Sequence, residues 1–304
     1  MRVFVAGASG AVGIPIVSEL SKQGHEVVAM TRSERGKQRL QALGVNVVSI
    51  DAFDYKQIKD ALRQVAPEAV IDVLTFLPKN LTDMPKATAG DRRLRLEGGG
   101  HLFAASLASG VSRYLQQSCG FWIKPKCGEQ LGMEDDSFEL QATPNIASGS
   151  DMYRQVEQRV FSDPKIEGIA LRYGFFYGPD TWYAEDGSAT KMARQQQLPI
   201  VGKGSAVNSF VHVDDAAKAT VATLTVEPGV YDIVDDDPAA VSVWLPAFAV
   251  SVGAPAPAQI SEEAGVAVTG PDAVFYHNNL SGASNAKAKT MFRFEPRPLE
   301  WLKR

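Results

Sequence analysis

The residues best suited to chemistry stand near the start of the chain. Gly7-Ala8-Ser9-Gly10-Ala11-Val12-Gly13 sets three glycines three apart, after an apolar run and before a helical one. Glycine lets the chain turn sharply and lets backbone N–H groups close on an anion, while the helix start adds partial positive charge. Strand, glycine turn and helix in that order predict a cradle for linked phosphates. Gly7, Gly10, Ala11, Val12 and Gly13 would supply main-chain contacts, and Ser9 a hydroxyl. The next apolar run ends in Met30-Thr31-Arg32-Ser33. A dinucleotide site that selects a free ribose 2′-hydroxyl usually carries Asp or Glu here, whereas a cation and hydroxyls suit a 2′-phosphate. The sequence therefore predicts NADP(H) over NAD(H), with Arg32 and Ser33 as the discriminating contacts. Asp51 and Ala52 follow the third run and would meet the adenine edge. Capping of the following helix is the alternative role for Asp51. Leu74 and Thr75 close the fourth run and would line the cleft.

These groups need a frame to hold them. Strand-like runs are expected at Val3–Ala6, Glu26–Met30, Val45–Ile50, Ala69–Leu74, Arg113–Gln117 and Gly168–Arg172. Helical runs alternate with them at Ala11–Gln23, Glu34–Leu43, Tyr55–Val65, Arg92–Ser109 and Asp151–Phe161. Pro15 falls in a first turn, where its missing N–H costs nothing, and Gly24, Gly44 and Gly110 each close a helix. Such alternation predicts an α/β fold, a Rossmann-type doubly wound parallel sheet. Residues 1–172 would form the nucleotide-binding domain, completed by about 208–234, with 173–304 as a smaller substrate-binding lobe. Beyond Arg172 the expected elements are a strand at Asn208–Val211, a helix at Val213–Thr225, a strand at Val230–Val234 and two weak helical segments after residue 242.

Bulk properties exclude several classes. The chain has 304 residues, 45% hydrophobic, with a net charge of −4, so there is ample core and no basic field for nucleic acid. The apolar stretch Ala69–Pro78 is too short to span a membrane and contains Asp72. Two cysteines, Cys119 and Cys127, make neither a disulfide framework nor a four-ligand zinc site. A cytoplasmic protein with a small-molecule substrate, binding no nucleic acid, membrane or metal, is the expectation.

The glycine spacing resembles the short-chain dehydrogenase/reductase superfamily, and four later segments narrow the resemblance to its extended branch, the NAD-dependent epimerase/dehydratase family. They are Leu171-Arg172-Tyr173-Gly174-Phe175-Phe176-Tyr177-Gly178-Pro179, the run Ser209-Phe210-Val211-His212-Val213-Asp214-Asp215-Ala216, then Tyr231-Asp232-Ile233, and Ser284-Asn285-Ala286-Lys287-Ala288. That resemblance implies a serine and a Tyr-x-x-x-Lys pair as the reacting groups. Ser118 matches the serine and would bond the substrate oxygen, and Tyr153 matches the tyrosine. The fourth residue on is Glu157 instead of lysine. Residues i and i+4 share a helix face, and a carboxylate there favours the neutral phenol, an acid suited to reduction rather than a base suited to oxidation. A packing role is the alternative for Tyr153. Lys124 and Lys126 are candidates for the missing charge, with solvated loop lysines as the other reading. Tyr173, Phe175 and Phe176 would wall the nicotinamide. The resemblance also raises a homodimer through a four-helix contact.

Aromatic residues dominate the expected substrate side, with Phe121, Trp122, Trp182 and Tyr183 as candidate contacts, although Lys191, Arg194 and Lys203 lie nearby. His212 reads as structural, His277 has no assigned role, and Asp235-Asp236-Asp237 reads as a solvated turn. Three functions fit: an NADPH-dependent reductase of a carbonyl-type bond in a small apolar or aromatic metabolite, a sugar-nucleotide epimerase or dehydratase with tightly held cofactor, or a non-catalytic dinucleotide sensor like the NmrA-type regulators.

Overall fold

The structure is a computed structural model that describes residues 1–126 and 131–302. Seven parallel strands form its main sheet: β1 Arg2–Ala6, β2 Glu26–Thr31, β3 Asn46–Ser49, β4 Ala69–Asp72, β5 Arg113–Cys119, β6 Glu167–Tyr173 and β7 Gly229–Ile233. They run in the order β7-β6-β5-β4-β1-β2-β3. The order reverses at β1, and ligands bind open α/β sheets in the crevice at that reversal, beyond the carboxyl ends of the strands. Val3, Phe4, Val5 and Ala6 of β1 have no exposed surface, the mark of a central strand covered on both faces.

Helices α1 Gly13–Lys22 and α8 Val213–Ala222 cover one face, and α3 Tyr55–Val65, α5 Gly99–Ala108 and α6 Pro144–Val160 cover the other. Helix α2, Glu34–Gln41, follows β2, and α7, Ser188–Arg194, falls among the residues after β6. Gly24, Gly44 and Gly110 all adopt positive φ and close their helices as expected.

Several boundaries differ from the sequence reading, and each has a consequence. Strand β5 runs on through Cys119, so Ser118 lies inside the sheet with Arg172 as its register partner. Helix α6 begins at Pro144, seven residues before the expected Asp151, which puts Tyr153 in mid-helix. The segment expected to begin at Arg92 is one helical run from α4, Met84–Arg93, through a five-residue π turn, Leu94–Gly98, into α5. Strand β3 is two residues shorter than expected, as befits an edge strand that pairs with β2 alone.

The residues after β6 build a lobe with its own core. Phe175–Tyr177 pairs with Phe210–His212, and Tyr183, Phe210, Phe248 and Trp301 pack edge to face around it. Among the described residues four α-helices occur after residue 240, where two were expected: Val241–Ser251, Glu262–Thr269, Ala273–Asn278 and Ala286–Phe292.

Candidate active site

The glycine turn has the geometry of a phosphate cradle. Gly7 sits at φ 79°, and a Cβ there would stand 2.4 Å from the carbonyl oxygen of Val73, so only glycine lets β1 turn this close to β4. A Cβ on Gly13 would stand 2.3 Å from the carbonyl of Gly7, which fixes the first turn of α1 against the loop. Gly10 donates to Gly7 at 3.0 Å, completing the turn. No side chain caps the start of α1 and no acidic residue stands in its first turn. Ile14 donates its N–H to Gly10 at 3.1 Å and Pro15 has none, so what the helix start offers an anion is the partial positive charge of its N-terminal end beside the glycine turn.

At the end of β2 a recess forms from Ser9, Thr31, Ser33 and Gly36. Ser9 and Thr31 share a hydrogen bond of 3.0 Å, and Ser33 caps α2 by accepting from the N–H of Gly36 at 3.0 Å. A hydroxyl that accepts in this way keeps its own hydrogen to donate. Gly36 escaped the sequence reading. A Cβ on it would stand 2.5 Å from Thr31 Oγ1, so its glycine keeps the recess open. Arg32 is exposed, with its guanidinium carbon 5.7 Å from the ring centre of Phe76 across the cleft. Asp51 is exposed, and its carboxylate accepts from the N–H of Phe53 at 3.0 Å. It does not cap α3, whose N-cap is Asp54. Ala52 is buried against Gly98. Leu74 and Thr75 are half-buried beyond β4, and the Leu74 N–H donates to Asp72.

The reacting end departs from the expected arrangement. Ser118 does not face the cleft. Its hydroxyl is buried and donates to Glu157 Oε1 at 2.6 Å. Alternation along β5 puts Ser118 on the same face as Tyr114 and Gln116, under α5 and α6. Glu157 also accepts from Arg172 Nε at 2.8 Å and from its Nη2 at 2.9 Å, a bidentate pair with both side chains at most 10% exposed. Glu157 is thus held inside the protein by an arginine of β6. Asp232, opposite Arg172 in the register, is fully buried, and burial beside Glu134 holds its carboxyl well above the usual range.

Tyr153 packs instead among Trp122, Phe138 and Cys119. Burial raises its phenol above the ordinary range, and the nearby Arg95 pulls in the opposite direction. The tyrosine is therefore a neutral acid at physiological pH. Cys119, from the last position of β5, lies in this cluster, and burial pushes its thiol up to about 12. Arg95 was missed by sequence reasoning because its helical context carries no motif. Lys124 pairs with Glu139, and Lys126 with Asp135 and Asp136, so both lysines are engaged on the surface beside their own loop. Cys127 lies outside the described residues.

The aromatic candidates divide. Phe121 stacks on Phe175 with ring centres 4.2 Å apart and stands edge-on to Trp122, forming a wall beside Tyr153. Gly149 of α6 makes room for that wall, since a Cβ there would meet the Trp122 ring at 2.3 Å. Tyr173 does not line the cleft. Its side chain is 1% exposed and shares a 2.6 Å hydrogen bond with Thr220 of α8, because strand alternation turns it to the opposite face from Arg172. Phe176 packs on Tyr173. Tyr183 belongs to the aromatic core of the lobe. Trp182 donates its indole N–H to Pro78 at 2.9 Å, so it straps the lobe to the loop after β4. Arg39 of α2 pairs with Asp180, and the N–H of Leu81 donates to Ser188 at 3.1 Å, adding two ties across the same edge. His212 caps α8 through Nδ1, the structural role expected of it.

Comparison with known proteins agrees with this frame. The model of the NAD dependent epimerase/dehydratase family matches residues 3–233. The chain belongs to that family. It is 35% identical over 303 residues to a 3-diazoavenalumate denitrifying reductase of a Streptomyces species, covering 99% of this chain and 98% of that one. It is also 26% identical to a 2-alkyl-3-oxoalkanoate reductase of Stenotrophomonas maltophilia, over 72% of this chain and 64% of that one. Among solved structures, the UDP-glucose 4-epimerase of Thermotoga maritima has the same fold, with a TM-score of 0.74 at 18% identity, covering 99% of this chain and 95% of that one. The chain is accordingly an oxidoreductase-type, NAD(P)-binding member of the family. Among the described residues no helix is long and apolar enough to cross a membrane.

Proposed function

We propose that this protein is a cytoplasmic NADPH-dependent reductase that acts on a carbonyl-type bond of a small aromatic or apolar metabolite. The observation that carries the reading is the neutral, buried Tyr153 beside the Phe121–Phe175–Trp122 wall at the end of β5. When bound, the nicotinamide supplies the hydride. The residues here do the rest. The turn from Gly7 to Gly13 and the open start of α1 hold the pyrophosphate. Arg32, Ser33 and the recess at Thr31 and Gly36 receive a 2′-phosphate. The aromatic wall excludes water and orients a flat substrate, and Tyr153 gives its phenolic proton to the oxygen that gains negative charge.

The sugar-nucleotide alternative has less support, because Arg194, one of the three nearby cations, already pairs with Glu185 and donates to the carbonyl of Val252. A second substrate chemistry has support of its own. The relative that matches along nearly its whole length is named for reductive denitrification of a diazo compound. A diazo-bearing aromatic therefore belongs in the substrate panel beside aromatic ketones and aldehydes. The test follows absorbance of NADPH and NADH with that panel. Substrate-dependent loss of NADPH is expected, and tight binding with no turnover on any member would leave a sensor in place of an enzyme. Arg32→Ala should weaken NADPH binding by about tenfold or more and leave NADH binding nearly unchanged. Equal losses for both would remove the 2′-phosphate argument.

A further inference from the structure

The absent lysine leaves Tyr153 without its usual cation, yet a cation is present. Arg95 lies on the π turn between α4 and α5, with its guanidinium carbon 5.0 Å from the Tyr153 ring centre. Its side chain is 2% exposed. Nε donates to Asp91 at 2.7 Å, while Nη1 is buried with no hydrogen-bond partner among the described residues. Asp91 is fixed in turn by accepting from the N–H of Phe76 at 2.6 Å, on the loop after β4. A π turn inserts an extra residue into a helix and redirects its side chains, and such turns occur often at functional sites. Without it Arg95 would have a different angle around the run from Met84 to Ala108. Glu157, at the family's lysine position, is meanwhile closed off by Arg172 and Ser118.

We infer that Arg95 is the positioning cation of Tyr153, carried on a different helix and taking the electrostatic role vacated at residue 157. The inference deepens the reductase reading and rests on Tyr153 being its acid. The guanidinium stabilises the phenolate that remains after proton transfer, and its free Nη1–H is the donor available to that charge. The ionisable groups around the phenol are Arg95 and Asp91 from the run containing the π turn, Cys119 from β5 and Tyr276 from the lobe, with Asp72 behind Arg95. Among the described residues Arg95 is the only cation in that set.

The test reads the phenol directly and needs no substrate. Tyrosines are replaced biosynthetically by 3,5-difluorotyrosine, whose phenol ionises at lower pH, and residue 153 is assigned in fluorine NMR by its loss in Tyr153→Phe. Binding of NADP⁺ to each variant reports that the fold is intact. Arg95→Met should raise the ionisation midpoint by about 1–3 pH units, and Arg95→Lys should recover most of that rise. Asp91→Asn keeps the guanidinium and removes its counter-charge, so it should lower the midpoint. That variant keeps the question answerable if Arg95→Met fails to fold. A midpoint unmoved in Arg95→Met, or unmoved in Asp91→Asn, overturns the inference. Neither result depends on turnover, so failure here is distinct from failure of the reductase reading.

Discussion

A lysine cannot simply be placed at residue 157. Glu157 accepts three hydrogen bonds, at 2.6, 2.8 and 2.9 Å, from Ser118 and Arg172. In Glu157→Gln the shape is kept, but Arg172 is left as a buried cation with no countercharge on that side chain. Breaking a buried pair by removing one partner costs about 3–5 kcal/mol. For 304 residues the entropy of unfolding is about 0.64 kcal/mol/K, so the melting temperature should fall by about 5–8 °C. Glu157→Lys should fall at least as far, because two cations then meet where desolvation already penalises one, and it should gain no activity. Replacing both partners by Met should recover most of the loss, since apolar substitution of a whole buried pair is often neutral. Calorimetry and urea unfolding of the four proteins measure this. A Gln variant that melts within about 2 °C of wild type, or a Lys variant with raised turnover, would refute the argument that Glu157 is a structural residue.

Two further outcomes are expected. Tyr153→Phe should lower turnover about 10²-fold with little change in cofactor affinity, measured by steady-state kinetics and NADPH titration; an unchanged rate would give the proton to another group. Asp235 is buried, and burial first, then its acidic neighbours Asp236 and Asp237, raise its carboxyl to about 7. Its folded value lies above the unfolded one, so the folded state holds the extra proton between pH 4 and 7, and stability should fall across that window and level off above it. Asp235→Asn should abolish that decline and be the more stable protein at pH 8, and parallel curves for the two proteins from pH 4 to 8 would contradict it.

The glycine turn and the element order around it were legible in the sequence because most of their geometry is local. Gly13 is needed by atoms of its own turn and Arg32 and Ser33 follow β2 within two residues, while Gly7 is needed also by Val73, just past β4 in the adjacent strand. The reacting end was legible in part. Tyr153 lies in the cluster beside the Phe121–Trp122 wall, but Ser118 and Tyr173 face away from the cleft. Each was read as lying at or beyond a strand end, whereas β5 and β6 continue through them, and a strand residue faces one side of the sheet or the other. Tyr183 and Trp182 read as pocket aromatics because composition cannot separate an aromatic core from an aromatic wall.

The pattern of apolar runs and glycines settled the sheet and its crevice, since strand, turn and helix each depend mostly on neighbours a few positions apart. What Glu157 does, and which cation serves Tyr153, depended on side chains brought together from positions 91, 95, 118, 153, 157 and 172. Arg95 reaches the tyrosine through a π turn that has no sequence signature, and Arg172 reaches Glu157 through strand register. Contacts of that kind are set by packing between elements, which is a property of the folded chain.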